Sequence, residues 1–468
     1  MMRKKCWWLG KIIALGVIIP WLNPGSSVQA ESEFICVSNL DREVQEIIHR
    51  PEWTRSRWGI LVRTLDGEET IYNLEGEKYF LPASSLKLLT TAAAIQELGS
   101  DFTIATPVYL TGSAPRLERL VIVGKGDPSL TSDHLRDLAR ELKQQGINHI
   151  DELILVDNYF HDSEINPTWE WSDLYFYYAV GVNSLILDEN RVILTIIPQE
   201  AGEIAQLQWS NPNTFKQWRV DNQVLTVTDQ DRTRISLDGL WAKSELRIEG
   251  EIATESQPLV YYLAIANPSN YFLESLFRIL LVENIQVGKK TLTSDAVEDL
   301  GTRFTELLSP PLQTLIVEIN QESNNLYAEA IAKILQQEST QTLQEILTEL
   351  GVESSSYRIA DASGLSRHNL VSPEALVQVL TLMARFPVYR ESLAQPGEGT
   401  LRHRLADQEL QAKTGYLSGV ASLSGYLTPE DYQPIVFSIM INQSEQSGST
   451  LQEAIDEIII LLSRLRRC

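Results

Sequence analysis

Cysteine, methionine and histidine are all scarce in this chain. Its 468 residues include three cysteines, four methionines and six histidines. The histidines are scattered, and no pair or cluster of cysteines and histidines has the spacing of a zinc site. We therefore predict a protein that binds no metal and needs no cofactor.

Positive charge is also in short supply. Lysine and arginine total 39 residues against 62 aspartates and glutamates, which gives a formal net charge of -23 at pH 7. This balance argues against a nucleic acid partner, and it is mildly unfavourable for binding to anionic membrane surfaces. The 43% hydrophobic content and 22% charge are typical of a well-packed globular chain, long enough for two or three domains.

Apolar runs long enough to cross a bilayer are absent too. The apolar run at residues 12–22 is shorter than the roughly 20 residues that a membrane-spanning helix needs. It follows basic residues at 3–5 and precedes small side chains at 28–30, an order typical of a secretory signal peptide. We predict a signal peptide at 1–30 that is cleaved after residue 30, with a retained membrane anchor as the alternative. The mature protein is then periplasmic or otherwise extracytoplasmic.

Loss of the signal peptide would leave two cysteines, Cys36 near the start of the mature chain and Cys468 at its end. Export makes a disulfide possible, and chain termini often lie close together. A Cys36–Cys468 disulfide is therefore a reasonable hypothesis, and two unrelated thiols are the alternative.

Three short motifs occur in a meaningful order. Ser84-Ser85-Leu86-Lys87 comes first, Ser323-Asn324-Asn325 second and Lys413-Thr414-Gly415 third. Each is common by chance, but the conjunction is the signature of serine enzymes that are acylated by a D-alanyl-D-alanine peptide or a β-lactam ring. Such chemistry needs a nucleophile on a helix, a polar loop and a strand edge around one cleft.

The first motif supplies a nucleophile and a base. Ser84 and Lys87 are three residues apart at the start of a predicted helix, so both side chains lie on one face. A serine hydroxyl needs a nearby base, and a lysine serves as that base when burial and a neighbouring cation lower its pKa. Lys413 could be that cation. Ser85 is offset from Lys87, so we predict Ser84 as the nucleophile, with its backbone N–H as an oxyanion donor.

The other two motifs supply its partners. Ser323 is predicted to relay a proton to the leaving amine, and the Asn325 amide to hold both substrate and Lys87. Lys413 and Thr414 are predicted to bind a free substrate carboxylate. Gly415 permits close backbone approach, and the N–H of Tyr416 is the expected second oxyanion donor; both are predicted to be substrate-binding.

Hydrophobic periodicity predicts strands and helices in both halves of the chain. The predicted strands are 58–65, 70–74, 120–123, 152–156, 223–227, 245–249, 259–266, 422–427 and 434–441. The predicted helices are 86–98, 132–145, 271–283, 326–337, 340–351, 373–385 and 451–465, and the chain is expected to be helical in character from about residue 295. The last helix could lie on a membrane surface, but its acidic polar face favours a core helix.

The motif-bearing segments lie at the two ends of the chain, which predicts an α+β fold with insertions. Residues 31–101 and 292–468 would form a catalytic domain, an antiparallel sheet flanked by helices. Residues 102–198 and 258–291 would form an inserted mixed α/β domain, and 199–257 a strand-rich domain nested within it.

The sequence resembles a known family along essentially its whole mature length. Residues 82–90, 321–329, 361–367 and 412–415 are similar to the motif segments of class C low-molecular-mass penicillin-binding proteins, the D-alanyl-D-alanine carboxypeptidase/endopeptidases. The resemblance implies a β-lactamase/transpeptidase-like domain split by two inserted domains. It also implies peptidoglycan stem peptides and cross-links as substrates and β-lactams as covalent inhibitors.

The resemblance also carries residue roles. It implies that Ser84 is acylated, that Lys87 is the base, and that Ser323, Asn325 and Lys413 are their catalytic partners.

The resemblance extends to a substrate subsite and includes one departure. Asp173, Tyr178 and Arg367 match positions that line the subsite for the amino end of the substrate's diamino acid. Tyr416 departs from the pattern, because the wider superfamily often has a small hydroxyl residue there. Carboxylate binding and β-lactam affinity are therefore expected to differ, while acyl chemistry that uses the backbone N–H should persist.

Two alternatives remain open at this point. A secreted β-lactamase would need an extra acid that holds a deacylating water, and no short insertion offers one. A non-catalytic protein that binds peptidoglycan or β-lactams would have no use for Lys87. The sequence does not define the oligomeric state or the balance of carboxypeptidase and endopeptidase activity.

Overall fold

The computed structural model describes residues 34–211, 217–229, 232–240 and 244–468. The predicted signal peptide lies outside these residues. Residues Ile35–Cys468 form one compact unit. Within it, the described helices are α1 Val37–Ile48, α2 Lys87–Leu98, α3 Ser132–Gln144, α4 Pro268–Val282, α5 Leu312–Asn320, α6 Asn325–Glu338, α7 Leu343–Leu350, α8 Pro373–Met383, α9 Pro387–Glu391 and α10 Gly448–Ser463.

The strands follow the same numbering along the chain. They are β1 Ile35–Cys36, β2 Arg57–Thr64, β3 Thr70–Leu74, β4 Ala105–Ser113, β5 Arg116–Val123, β6 His149–Val156, β7 Arg191–Ile197, β8 Gln206–Trp209, β9 Arg219–Val227, β10 Arg234–Leu240, β11 Glu245–Ala253, β12 Leu259–Ala264, β13 Gln286–Thr293, β14 Thr302–Leu308, β15 Tyr357–Arg358, β16 Leu370–Val371, β17 Leu410–Leu417, β18 Val420–Leu427, β19 Ile435–Asn442 and β20 Leu465–Arg466.

An antiparallel sheet joins the two ends of the chain. Its strand order is β17-β18-β19-β2-β3, so strands from residues 57–74 lie beside strands from residues 410–442. Every residue of β18 and β19 is buried, because helices cover both faces. Full burial of one large apolar side chain contributes about 1.5–3 kcal/mol. The predicted antiparallel sheet flanked by helices is confirmed.

Each face of this sheet has its own helical layer. On one face α1 and α10 pack on side chains such as Ile60, Phe437 and Ile439. Helix α10 buries one apolar face, which consists of Leu451, Ala454, Ile455, Ile458, Ile459 and Leu462, so the core-helix interpretation is correct. On the other face α2, α5, α6, α7 and α8 enclose a second core. No helix among the described residues is long and apolar enough to cross a membrane.

Helix α2 is the centre of that second core. Its first nine residues, from Lys87 to Ile95, are all buried, because apart from Lys87 they are leucine, isoleucine, alanine or threonine on every side of the helix. It ends at Gly99, whose φ of 80° is unfavourable for other residues. The buried Thr90 hydroxyl donates to the carbonyl of Ala362 at 2.7 Å, which links α2 to the loop after β15.

A second, mixed sheet lies in the middle of the chain, with strand order β13-β6-β5-β4-β14. Its last strand, Thr302–Leu308, pairs antiparallel with Ala105–Ser113. The expectation of helical character from about residue 295 is therefore wrong for this segment. The domain division itself stays a prediction, and we propose that its boundary at residue 292 moves to about residue 309.

The termini of the described chain are joined covalently and through the backbone. Cys36 and Cys468 form a disulfide, as hypothesised. Beside it, Ile35–Cys36 pairs in parallel with Leu465–Arg466. The bond closes a loop across a sequence separation of 432 residues.

Candidate active site

Ser84 lies in the turn that leads into α2. Residues Ala83–Leu86 form one 3-10 turn, and Ala83 has a φ of 48°, an uncommon conformation for a residue with a side chain. Lys87 Nζ donates to Ser84 Oγ at 2.9 Å. Ser85 instead is fully buried, with its Oγ 2.8 Å from Ser422 Oγ. The turn therefore presents Ser84, and not Ser85, beside the lysine.

Lys87 is fully buried and has three oxygen partners. Its Nζ donates to Ser84 Oγ at 2.9 Å, to Asn325 Oδ1 at 2.6 Å and to the carbonyl oxygen of Ser363 at 2.6 Å. Burial lowers the pKa of Lys87 from 10.5 to about 7, although the carboxylates of Asp361 and Glu329 act in the opposite direction. A substantial fraction of Lys87 is therefore neutral at neutral pH, as a base must be.

The second motif is a tight turn onto the start of α6. Ser323 has a φ of 61°, and the Asn324 side chain caps the helix by accepting from Tyr327 N. Asn325 then begins the helix, with its amide oxygen at Lys87. The turn places Ser323 Oγ 2.9 Å from Lys413 Nζ. The two predicted partners from the second motif thus each contact a lysine, Asn325 contacting Lys87 and Ser323 contacting Lys413.

Lys413 lies on the strand that forms the third wall. It is fully buried, and its Nζ donates to Ser323 Oγ at 2.9 Å and to the Thr414 carbonyl at 2.8 Å. Burial, followed by repulsion from Lys87, lowers the pKa of Lys413 well below its usual value. The two ammonium groups thus disfavour being charged together. The lowered pKa of Lys87 comes from its burial, and the predicted role of Lys413 as the cation that tunes it stays a prediction.

Two glycines let the walls of this site approach each other. A Cβ on Gly415 would lie 2.7 Å from the Pro82 carbonyl oxygen and 3.0 Å from Ser84 N. A Cβ on Gly364, whose φ is 86°, would lie 1.9 Å from the Ala83 carbonyl oxygen. The close approach at Gly415 is therefore made by the Ser422 hydroxyl and by the nucleophile turn, and the predicted approach of substrate there stays a prediction.

Thr414 and Tyr416 lie two residues apart on the same strand and have different partners. The Thr414 hydroxyl donates to Thr400 Oγ1 at 2.8 Å. The Tyr416 side chain is 51% exposed, and a Cβ on Gly448 would lie 2.6 Å from its ring. The Tyr416 ring therefore packs against the start of α10, as expected for a side chain that cannot place its hydroxyl where threonine would.

The inserted segment brings Asp173 and Tyr178 together at the cleft. The Tyr178 hydroxyl donates to Asp173 Oδ1 at 3.3 Å, and the Tyr178 carbonyl accepts from Asn325 Nδ2 at 2.8 Å. Partial burial raises the pKa of Asp173, while Tyr178 and Arg367 act to lower it. Arg367 pairs with Glu170 at 3.0 Å. The three predicted residues are thus neighbours, with Arg367 bound to a different carboxylate.

Sequence reasoning missed three residues that contact the site. Thr400 meets Thr414, the Ser363 carbonyl meets Lys87, and Glu329 accepts from the N–H of Ser363 at 2.8 Å. Glu329 and Ser363 lie within the segments 321–329 and 361–367 that resemble the family, but no role was predicted for either residue. Thr400 and Ser363 lie in loops whose docking no local pattern shows.

Within the described part of the chain, no group of three or more histidine, cysteine, aspartate or glutamate side chains is arranged to hold a metal ion. The chemistry available at the cleft is that of two hydroxyls, two buried amines and an amide. This set suits acyl transfer to a serine.

Comparison with known proteins agrees with this geometry. The family model described as D-Ala-D-Ala carboxypeptidase 3 (S13) matches residues 40–461. The chain is 27% identical to a D-alanyl-D-alanine carboxypeptidase of Actinomadura sp. (strain R39), over 92% of this chain and 86% of that protein. It is 26% identical to penicillin-sensitive carboxypeptidase A of Dictyostelium discoideum, over 87% of both proteins.

A solved structure shows the same fold. The crystal structure of penicillin binding protein 4 from Haemophilus influenzae superposes with a TM-score of 0.78 at 24% sequence identity, covering 92% of this chain and 98% of that one. The predicted α+β fold class is confirmed by this similarity.

Proposed function

Because the chain belongs to the D-Ala-D-Ala carboxypeptidase 3 (S13) family, we propose that it removes terminal D-alanine from peptidoglycan stem peptides and also cleaves their cross-links. The observation that carries the proposal is the meeting of Ser84 Oγ with Lys87 Nζ at 2.9 Å, in a cleft that Ser323 and Lys413 also line. The resemblance of the site segments to a family of carboxypeptidase/endopeptidases supports the cross-link activity.

Acylation begins with proton transfer from Ser84. Neutral Lys87 accepts the hydroxyl proton while Oγ attacks the carbonyl carbon between the two D-alanines. The backbone N–H groups of Ser84 and Tyr416 stabilise the oxyanion of the tetrahedral intermediate. The C–N bond then breaks, and an ester to Ser84 remains.

The leaving amine needs a proton. Ser323, held at 2.9 Å by Lys413 Nζ, relays to the departing nitrogen the proton that Lys87 took from Ser84, which returns Lys87 to its neutral form. Free D-alanine leaves in the carboxypeptidase reaction, and the side-chain amine of the neighbouring stem leaves in the endopeptidase reaction. Water then attacks the ester, with Lys87 again as base, and regenerates Ser84.

The substrate is held on both sides of the scissile bond, at its C-terminal carboxylate and at its diamino acid. Lys413 and Thr414 bind the C-terminal carboxylate of a stem peptide, with Gly415 allowing close approach. Asp173, assisted by Tyr178, binds the amino end of the diamino acid by opposite charge, and Arg367 lines the same subsite.

Penicillin is proposed to acylate Ser84 by the same steps, because its ring amide and carboxylate mimic the D-alanyl-D-alanine terminus. A relative with the name penicillin-sensitive carboxypeptidase A supports this part of the proposal. Peptidoglycan lies outside the cytoplasm, so the predicted signal peptide and a periplasmic location fit the proposed substrate.

The test is mass spectrometry of muropeptides after incubation with the purified protein. We expect pentapeptides to become tetrapeptides and cross-linked dimers to become monomers. Ser84→Ala should abolish both reactions and labelling by fluorescent penicillin, while Ser85→Ala is the matched control that should keep labelling. Rapid β-lactam hydrolysis without D-alanine release would instead indicate a β-lactamase.

A further inference from the structure

Glu329 is a buried carboxylate for which the proposed reaction has no role. It lies on α6, one turn after Asn325, with only 8% of its surface exposed. Its Oε1 accepts from two consecutive backbone donors, Ala362 N at 3.0 Å and Ser363 N at 2.8 Å. A carboxylate that accepts two backbone N–H groups fixes the path of the loop that contains them.

The loop that Glu329 holds ends on the catalytic lysine. The Ser363 carbonyl accepts from Lys87 Nζ at 2.6 Å. The backbone N–H of Ser363 is therefore held by Glu329, and the backbone carbonyl of the same residue binds Lys87. Asn325, on the same face of α6, accepts from the same Nζ at 2.6 Å. One helical face therefore determines two of the three oxygen partners of Lys87, directly through Asn325 and indirectly through Glu329.

The opposite side of the loop is held by the inserted segment. Trp169 Nε1 donates to Asp361 Oδ2 at 2.9 Å, and Asn166 Nδ2 donates to the Ala360 carbonyl at 2.9 Å. Asp361 in turn accepts from Gly364 N at 2.8 Å. The loop is therefore anchored by the inserted segment, by Thr90 of α2, whose hydroxyl donates to the Ala362 carbonyl, and on the α6 side by Glu329.

We infer that Glu329 is a positioning residue that holds the Ser363 carbonyl, and through it Lys87 Nζ, in line with the Ser84 hydroxyl. This inference rests on the proposed function, since it assigns Lys87 the role of base. Glu329 does not touch the reacting atoms. Displacement of a catalytic base by about 1 Å is sufficient to slow a reaction about 100-fold.

The charge of Glu329 also acts on the lysine. The carboxylate raises the pKa of Lys87 against the effect of burial. Burial and the charge of Asp361 raise the pKa of Glu329 itself to about 7. The other charged side chains around Glu329 are Lys333 on its own helix and Asp162 and Glu164 from the inserted segment, which line one cavity of about 540 Å³ with it. Removing the Glu329 charge should therefore make Lys87 easier to deprotonate.

Two substitutions at Glu329 separate its role in positioning the loop from the effect of its charge. Glu329→Gln keeps an oxygen that accepts both N–H groups but removes the charge, and Glu329→Ala removes both. The matched control is Glu338→Gln, on the same helix, where the carboxylate meets the Tyr159 hydroxyl and not the loop.

The acylation rate constant with fluorescent penicillin is measured from pH 5 to pH 9 for each variant, together with the KM and kcat for D-alanine release. Glu329→Ala should slow acylation about 10- to 100-fold and lower kcat with little change in KM, since positioning of the base is lost. Glu329→Gln should keep the plateau rate and lower the pH at which half of it is reached, because the Glu329 charge that stabilises protonated Lys87 near pH 7 is absent. Glu338→Gln should match the unmodified protein.

A second measurement does not depend on turnover. Titration of the Lys87 Nζ signal by NMR with ¹⁵N-labelled lysine should give a lower midpoint in Glu329→Gln than in the unmodified protein. Glu329→Ala should differ from Glu329→Gln in this midpoint, because only Glu329→Ala releases the Ser363 carbonyl from Lys87 Nζ. Equal midpoints in the two variants, or a folded Glu329→Ala protein that is acylated at the normal rate, would overturn the inference. If Glu329→Ala does not fold, Glu329→Asp, which draws the carboxylate back from both N–H groups without removing its charge, is compared with the unmodified protein instead. Failure of the unmodified protein to become acylated would refute the proposed function, and the comparison of midpoints would still decide the inference.

Discussion

The lowered pKa of Lys87 gives a quantitative prediction for how the rate of Ser84 acylation depends on pH. Burial lowers the pKa of Lys87 from 10.5 to about 7, and only the neutral amine can accept the Ser84 proton. At pH 7 about half of the protein then has a neutral Lys87, against about one molecule in 3000 for a lysine of normal pKa. The buried environment therefore supplies a factor of about 1000 or more in active base at neutral pH.

The assay is the second-order rate constant of penicillin labelling, measured in constant ionic strength buffers from pH 5 to pH 9. Because the pKa is lowered, the rate should rise with pH and reach half its maximum near pH 7. At pH 5 it should be about one hundredth of the plateau, since each pH unit below the pKa removes a factor of about ten. Lys87→Arg, which stays protonated throughout this range, should be inactive at every pH.

A flat profile from pH 5 to pH 9 would refute the assignment of Lys87 as the titrating base. A rate still rising steeply at pH 9 would show that burial does not lower its pKa as the structure indicates. A circular dichroism spectrum at each pH, unchanged in shape, is the control that separates base titration from unfolding.

Three further predictions follow from single contacts. Thr400→Val removes the acceptor of the Thr414 hydroxyl and should raise the KM for carboxylate-terminated peptides several-fold. Thr400→Ser should restore the original KM, and equal KM values for all three proteins in steady-state kinetics would contradict the role of Thr400. Gly364→Ala places a methyl group against the nucleophile turn and should strongly reduce penicillin labelling; normal labelling would contradict the packing. Replacing Cys36 and Cys468 by serine should lower the free energy of unfolding by about 2–5 kcal/mol in denaturant titrations. Penicillin labelling should be unchanged, and an equal free energy of unfolding would contradict a stabilising role of the disulfide.

Much of the site was predictable because its motifs are local. Ser84 and Lys87 are three residues apart, so helical geometry alone places them together, and Asn325 begins a helix that a polar cap precedes. The amphipathic pattern of residues 451–465 likewise predicted a core helix. In each case the deciding interactions lie within a few residues of one another along the chain.

What the sequence did not show depends on contacts between distant segments. Thr302–Leu308 is a strand because Ala105–Ser113, about 200 residues earlier, offers it an edge. The role of Ser363 depends on where its loop docks, and a buried Glu329 is indistinguishable in sequence from a solvated helix residue. The distance between Thr400 and Thr414 is equally a product of tertiary packing.

Peptide mass spectrometry of the protein after brief exposure to penicillin tests the acylation of Ser84 most directly. We expect one added penicilloyl group, on the peptide that contains Ser84, and none in Ser84→Ala. Modification of any other residue, or no covalent adduct under conditions where the folded protein is intact, would contradict it.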